Sequence, residues 1–149
     1  MYTYEYQMFC YTTDIVVFVD SGVDVPGYNY DVLLIKRKND PYAGYWALPG
    51  GYVEIDETAK EAAVRELYEE TGIVVSECQL KPLPIFDEVK RDPRNRTVSQ
   101  PFVCVLTQDQ IKDMKAGDDA VDCMLENIGS LKTLAFDHME MIRLGTHLL

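Results

Sequence analysis

Three glutamates lie close together near the middle of the chain, at the spacing of one helix face. Glu66, Glu69 and Glu70 stand at positions i, i+3 and i+4, so on an α-helix their side chains fall within an arc of about 100°. Like charges at this spacing repel each other by about 0.2–0.5 kcal/mol per pair, and the helix dipole disfavours anions near the C-terminal end. Selection for helix stability alone would not place three acids there.

Clustered carboxylate oxygens are the ligands that Mg²⁺ and Mn²⁺ accept, and such ions neutralise the phosphates of a bound substrate. The two glycines of Pro49-Gly50-Gly51, shortly before the glutamates, allow the backbone to approach a ligand closely. A backbone carbonyl could then join the carboxylates. The spacing alone is equally compatible with a solvated acidic helix face.

The glutamates need a helix, and the sequence predicts one over residues 58–71. Thr58 with Glu61 three residues later forms a capping-box pattern, and Gly72 supplies a stop. Asp137, followed by Glu140, predicts an N-cap for a second helix. Runs rich in β-branched and aromatic residues predict five strands, over residues 14–20, 30–36, 83–89, 98–107 and 123–128. Mixed strands with two helices predict an α+β fold or a three-layer sandwich in one domain, residues 1–149.

The charge of the chain limits its partners. Fourteen Lys and Arg against 25 Asp and Glu give a net charge of −11, which argues against a surface that wraps nucleic acid. An anionic substrate would need a metal ion or a local basic patch.

The four cysteines form no C-x-x-C pair and are predicted to be reduced. With no signal-like N-terminus and no run of about 20 apolar residues, we expect a cytoplasmic protein without a membrane partner.

The residues around the glutamates carry a resemblance to a known family. Gly51 is followed after five residues by Glu57, and after seven more by Arg65-Glu66-Leu67-Tyr68-Glu69-Glu70-Thr71-Gly72-Ile73. This segment resembles the Nudix box, G-x5-E-x7-R-E-U-x-E-E-x-G-U with U aliphatic, at every fixed position. The preceding Trp46-Ala-Leu-Pro-Gly-Gly51 is similar to the family's approach to the box.

The resemblance implies a Nudix-type α/β/α sandwich with a mixed β-sheet. It also implies Mg²⁺- or Mn²⁺-dependent hydrolysis of a nucleoside diphosphate linked to another moiety. It assigns the divalent ions to Glu66, Glu69, Glu70 and the Gly50 carbonyl. It further implies that Glu57 and Arg65 pair and brace the loop against the helix. The general base stays open between Glu69 and the downstream pair Asp118-Asp119, which is also typical of a solvated turn.

A second motif concentrates positive charge in an acidic chain. Residues 90–96 hold four cations, among them Arg91, Arg94 and Arg96, and the guanidinium fork suits phosphate and ribose. A solubilising hairpin tip or a subunit contact would give the same pattern. Residues 91–99 are similar to the R-D-P-R-G-R-x-x-S segment of Nudix ADP-ribose pyrophosphatases and related ADP-ribose-sensing regulators, with Asn95 in place of glycine. Residues 134–138 are similar to the L-A-F-D-H segment of the same subgroup.

The resemblance to this subgroup implies ADP-ribose as the substrate, cleaved to AMP and ribose 5-phosphate. Tyr45, Trp46 and Phe86 are aromatic candidates for an adenine slot, although each is also typical of core or interface packing. A nucleoside-triphosphate or oxidised-nucleotide pyrophosphohydrolase would share the box without needing the arginines. A non-catalytic ADP-ribose-sensing domain is the other alternative, although it usually goes with an eroded box. The subgroup is typically homodimeric.

Overall fold

The computed structural model describes residues 3–117 and 119–149, and within these ranges the strands form one seven-stranded mixed sheet. The strands are β1 (Cys10–Asp20), β2 (Tyr30–Arg37), β3 (Trp46–Ala47), β4 (Gly50–Tyr52), β5 (Lys81–Pro82), β6 (Thr97–Leu106) and β7 (Ala120–Asn127). The same ranges contain two α-helices, α1 (Ala59–Thr71) and α2 (His138–Thr146). Short 3₁₀ turns cover Glu77–Gln79, Asp109–Ile111 and Ile128–Ser130.

Strand β1 lies at the centre of the sheet. It runs parallel to β6 along one edge, and on its other edge it pairs antiparallel with β2 at residues 18–20 and with β4 at residues 12–14. Strand β2 pairs with β7 on its outer edge and with β3 beyond its contact with β1. The short strands β3 and β4 therefore fill the gap where β1 and β2 diverge, and this brings Gly50 opposite Asp14.

The sheet is covered by one helix on each face. Alternate residues of β1 point to opposite faces, so Val17 packs in one cluster with Leu67 of α1, and Phe18 packs in another with Met141 of α2. Burial on both faces explains why residues 15–19 form a continuous apolar run. The predicted α/β/α sandwich with a mixed sheet is confirmed.

The predicted ends of the first helix are also confirmed. The Thr58 hydroxyl accepts a hydrogen bond from the Glu61 backbone N–H at 3.1 Å, and the Glu61 carboxylate accepts one from the Thr58 N–H at 3.3 Å. Gly72 adopts φ 74° and donates its N–H to the Tyr68 carbonyl, which is the left-handed cap that favours glycine. These caps fix the length of the helix that carries the three glutamates.

One predicted element is absent. Strand β5 ends at Pro82 and no strand runs over residues 83–89, although the Leu83 N–H donates to the Pro101 carbonyl and Phe86 pairs with Ser99 of β6. Between these two contacts Pro84 and Ile85 stand opposite the single residue Gln100, and this interrupts the regular ladder. Asp137 occupies the predicted N-cap position of α2, but its side chain makes no capping hydrogen bond, because its carboxylate binds Arg91 instead.

The other four predicted strands correspond to β1, β2, β6 and β7, with ends that differ by a few residues. All four cysteines are free. In the described part of the chain, neither helix has the length and apolarity needed to cross a lipid bilayer.

Candidate functional site

A cavity of about 410 Å³ opens where β1, β2, β4, the second half of α1, the loop at 91–94 and the segment at 136–138 meet. Its wall combines acidic, basic and aromatic side chains. These side chains include Asp14, Glu66, Glu70, Asp92, Asp119, Arg37, Arg91, Arg94, Phe136 and His138. A site with both carboxylates and guanidinium groups can hold a cation and an anion side by side.

Two of the three predicted glutamate ligands face this cavity. Glu70 is 7% exposed and accepts a hydrogen bond from the Gly50 N–H at 3.0 Å. Burial raises the pKa of Glu70 to about 9; the Gly50 N–H opposes this rise, and the charges of Glu66 and Asp14 add to it. Burial likewise raises the pKa of Glu66 to about 7, although the hydrogen bond from Arg65 acts against it. Glu66 has Arg65 as a cationic partner, whereas Glu70 has no basic side chain within 4.0 Å among the residues that the structure describes.

The glycines beside the glutamates are required for space. A Cβ on Gly51 would lie 2.5–2.9 Å from the carboxylate atoms of Glu66, and a Cβ on Gly50 would collide with the Thr13 carbonyl and the Asp14 side chain. Neither glycine has a positive φ. Strand β4 therefore passes close to both β1 and α1 because it carries no side chain at these two positions.

Arg65 is the centre of an ion-pair network at the base of α1. Its Nε and Nη2 donate to the Glu57 carboxylate at 3.1 and 2.6 Å, and its Nη1 donates to Glu66 at 2.9 Å and to Glu69 at 3.0 Å. Nη2 also reaches the Tyr52 carbonyl. The hydrogen bond from Arg65 holds the pKa of Glu57 below its ordinary value despite partial burial. The structure thus brings Glu57 and Arg65 together and links the loop to the helix.

Glu69 differs from its two neighbours. Its side chain is 38% exposed and binds Arg65, and it does not border the cavity. Within residues 3–117 and 119–149, no three acidic, His or Cys side chains already converge as a metal-binding group. The oxygen donors that fit a hard divalent ion are the carboxylates of Glu66 and Glu70, since both border the cavity and both have a raised pKa. Glu69 would join them only by turning away from Arg65.

A buried chain of hydrogen bonds, not expected from the sequence, runs beside Glu70. The Ser99 hydroxyl donates to Asp14 Oδ2 at 2.6 Å, and His138 Nε2 lies 3.3 Å from Asp14 Oδ1. The Leu48 N–H donates to His138 Nδ1 at 3.0 Å, so the proton of the neutral imidazole is on Nε2. Burial favours a raised pKa for Asp14, but His138 and Ser99 outweigh it and lower the pKa.

The three arginines predicted to bind substrate occupy different environments. Arg91 is 4% exposed and donates through Nε and Nη2 to both oxygens of Asp137, at 2.8 and 2.7 Å. Arg94 makes a similar pair with the buried Asp92, at 3.0 and 2.7 Å. Both border the cavity, whereas Arg96 is exposed and does not. The predicted cluster is thus split, with two arginines held by carboxylates at the cavity wall.

Arg37 and Phe136 border the same cavity and were not expected there. The Arg37 guanidinium carbon lies 4.9 Å from the Phe136 ring centroid, and that of Arg94 lies 5.6 Å from it. Arg37 ends β2, one residue beyond the strand predicted at 30–36, and Phe136 belongs to the L-A-F-D-H segment.

The aromatic residues suggested for an adenine slot lie elsewhere. Trp46 and Phe86 pack against the core cluster of α2, and Tyr45 contacts Tyr42 edge-on. Of the two aspartates considered as a base, Asp119 borders the cavity, and Asp118 lies outside the described residues.

Known proteins place the chain in a family. Residues 15–144 match the model of the NUDIX domain. The ADP-ribose pyrophosphatase of Methanocaldococcus jannaschii is 43% identical over 112 residues, which are 75% of this chain and 63% of the relative. The ADPR responsive transcriptional repressor NtrR of Acinetobacter baylyi is 33% identical over 139 residues, 89% of this chain and 51% of the relative.

Among solved structures, a bifunctional NMN adenylyltransferase/ADP ribose pyrophosphatase from Francisella tularensis, complexed with AMP and a Mn ion, superposes with a TM-score of 0.82. It is 28% identical, and the match covers 97% of this chain and 43% of that chain. The chain spans less than two thirds of each of these three proteins. Since the family model matches most of its length, the chain belongs to the Nudix family.

Proposed function

We propose that residues 1–149 act as one Nudix hydrolase domain that cleaves the pyrophosphate bond of a nucleoside diphosphate derivative with Mg²⁺ or Mn²⁺. The proposed substrate is ADP-ribose, and the products are AMP and ribose 5-phosphate. The observation that carries the proposal is that the carboxylates of the half-buried Glu66 and the buried Glu70 share one cavity with three arginines. The names of the relatives from Methanocaldococcus jannaschii and Francisella tularensis support the substrate.

In this proposal Glu66, Glu70 and the Gly50 carbonyl would hold the divalent ion, with Glu69 as a further ligand. When bound, the ion would offset the charge of the diphosphate and lower the pKa of a coordinated water. Arg65 keeps Glu66 in place through its 2.9 Å contact, and an outer contact of this kind orients a ligating carboxylate.

The other predicted site residues have supporting roles in the same scheme. Glu57 fixes Arg65 from the loop side. Arg91 and Arg94 shape the cavity wall and can offer their remaining N–H donors to a phosphate or ribose. Arg96 would contact only a part of the ligand that extends beyond the cavity. Glu69 and Asp119 are both candidates for the general base.

A second function, ADP-ribose binding without turnover, is favoured by one observation: the relative from Acinetobacter baylyi is a transcriptional repressor responsive to ADPR and matches 89% of this chain. A pyrophosphohydrolase of nucleoside triphosphates or oxidised nucleotides would share Glu66 and Glu70 but would have less use for arginines in the cavity.

The net charge of −11 supports a small-molecule partner rather than nucleic acid. A homodimer, implied by the resemblance, is testable by light scattering.

One experiment separates these functions. The purified chain is incubated with Mg²⁺ and, in parallel, with ADP-ribose, a nucleoside triphosphate mixture and 8-oxo-dGTP, and the products are resolved by chromatography. We expect AMP and ribose 5-phosphate from ADP-ribose, with the highest kcat/KM of the panel. The variant Glu70→Gln is assayed in parallel, and Glu77→Gln is its matched control, because Glu77 is an exposed glutamate in a 3₁₀ turn.

Monophosphate and pyrophosphate released preferentially from a nucleotide triphosphate would favour the nucleotide pyrophosphohydrolase. Tight ADP-ribose binding with no product in the wild type would favour the sensor. Equal loss of activity in both glutamine variants would contradict a specific role for Glu70.

A further inference from the structure

Two of the three arginines that the sequence singles out already bind a carboxylate through two of their five N–H donors. Arg91 uses two of its donors on Asp137, and Arg94 uses two on Asp92. These bidentate pairs are the geometry in which guanidinium and carboxylate satisfy each other. A ligand phosphate at either residue would have only the donors that the carboxylate leaves free.

Arg37 is differently placed. Its Nε donates to the Pro41 carbonyl at 2.9 Å. Among residues 3–117 and 119–149, no carboxylate lies within 4.0 Å of its guanidinium, and neither terminal nitrogen has a hydrogen-bond acceptor. The side chain is half-buried and borders the cavity. Its two terminal nitrogens are therefore available to a bound molecule.

Phe136 holds this guanidinium from its face. The Arg37 Cζ lies 4.9 Å from the ring centroid, and stacking of this kind leaves the in-plane N–H donors free. Phe136 has φ 50°, which is uncommon for a bulky residue. Its ring is packed against Tyr42 at 4.7 Å and His138 at 5.5 Å between centroids. A residue kept in a rare conformation by its surroundings at a cavity wall is a candidate for a functional role.

The burial of the Arg37 guanidinium also favours an anionic partner. Burial and the nearby Arg94 lower the pKa of Arg37, and the opposing effects of Asp92, Glu70 and Asp14 do not restore it. The guanidinium remains protonated, so a partly desolvated positive charge borders the cavity. Arg37 lines the same cavity as Glu66 and Glu70, the proposed metal ligands.

We propose that Arg37 binds a phosphoryl oxygen of the ligand's diphosphate through its terminal nitrogens, and that Phe136 positions the guanidinium for this contact. The inference rests on the proposed function in one respect, that the ligand is a nucleoside diphosphate derivative. It holds whether the chain hydrolyses that ligand or only binds it. Arg37, rather than the arginines of the 91–96 loop, is then the main determinant of phosphate affinity.

The test is calorimetric titration of ADP-ribose, and separately of AMP, into the full chain in EDTA, so that binding is measured without metal or turnover. The proteins are the wild type, Arg37→Gln, Arg37→Lys and the control Arg143→Gln. Arg143 is exposed on α2 and pairs with Glu140 outside the cavity, so its variant makes the same change of charge elsewhere. Thermal unfolding checks that each variant is folded. If Arg37→Gln does not fold, Arg37→Lys tests the inference in its place.

We expect Arg37→Gln to weaken ADP-ribose binding by about 10- to 100-fold, the usual effect of losing hydrogen bonds to a charged group. Arg37→Lys should weaken it by at least about threefold, because a point charge lacks the fork and the flat stacking face. The Arg143→Gln variant should bind as the wild type does. Phe136→Leu should weaken binding on its own but have little further effect in Arg37→Gln, since both changes remove one contact.

Wild-type-like affinity in both Arg37 variants, or binding of neither probe by the wild type, would overturn the inference. So would a Phe136→Leu effect that adds fully to that of Arg37→Gln. The proposed function fails separately: binding that depends on Arg37, with no product formed in Mg²⁺, leaves this inference standing and removes the enzymatic one. Normal turnover and a normal KM for ADP-ribose in Arg37→Gln would overturn this inference and leave the proposed enzymatic function standing.

Discussion

Gly51→Ala should reduce catalysis by moving one carboxylate while leaving the fold intact. The added Cβ would lie 2.5–2.9 Å from the Glu66 carboxylate atoms, whereas non-bonded atoms of this kind pack at roughly 3.5 Å. The Glu66 carboxylate must therefore shift by roughly 1 Å, and a displacement of that size in an active site can cost about 10²-fold in rate. The colliding group is the end of a flexible side chain, and Gly51 has no positive φ, so stability should change little.

The assay for Gly51→Ala is kcat with ADP-ribose and saturating Mg²⁺, together with thermal unfolding. Gly50→Ala is the contrasting variant, because its Cβ would meet the Thr13 and Asp14 backbone, so we expect it to lower the unfolding temperature as well. An alanine at position 51 with kcat within threefold of the wild type would refute the placement of Glu66 in the proposed site. A large loss of stability in Gly51→Ala would contradict the reasoning about which atoms must move.

Three further predictions concern Glu70, Arg94 and Asp92. Glu70→Gln should lower turnover at least about 100-fold with a modest loss of ADP-ribose affinity, as measured by steady-state kinetics and titration; a change below threefold contradicts it. Arg94→Ala should raise KM for ADP-ribose more than KM for a short nucleoside diphosphate analogue, and equal effects would count against this loop as a specificity element. The hydrogen bonds from Arg94 outweigh burial and lower the pKa of Asp92, so the ionised form stabilises the fold above about pH 4 and that contribution is lost as pH falls through the lowered pKa. Urea unfolding should show Asp92→Asn less stable than the wild type by about 1 kcal/mol at neutral pH, with the two converging in acid; a difference that does not depend on pH would contradict this.

Local signals in the sequence predicted the elements that carry the site. The capping box at Thr58 and the glycine stop at Gly72 fix α1, because both act within one helical turn. The continuous apolar run of residues 15–19 identifies a strand buried on both faces. The sequence pattern could not exclude the strand at 83–89, because the effect of Pro84 depends on whether its nitrogen faces the neighbouring strand.

Helical spacing predicted a common face for the glutamates but not the direction of each side chain. Glu69 stands one turn after Arg65 and pairs with it, whereas Glu66 and Glu70 face the cavity. Rotamer choice depends on where the partners lie, and spacing does not contain that information.

The residues that the sequence analysis missed are those whose partners are distant in the chain. Ser99 and Asp14 are separated by 85 positions, and His138 and Leu48 by 90. Arg37 lies at the end of a strand far in sequence from Phe136. Such pairs come together only through the order of the strands in the sheet, so no local motif marks them, although the segment at 134–138 stood out without an assigned role.

The central claim is that Glu66 and Glu70 hold a divalent cation at this cavity. Titration of Mn²⁺ into the protein, followed by the electron paramagnetic resonance signal of the free ion, tests it without any substrate. We expect saturable binding in the wild type and in Glu77→Gln, and affinity at least about tenfold weaker in Glu66→Gln and in Glu70→Gln. Unchanged Mn²⁺ affinity in the last two variants would contradict the claim.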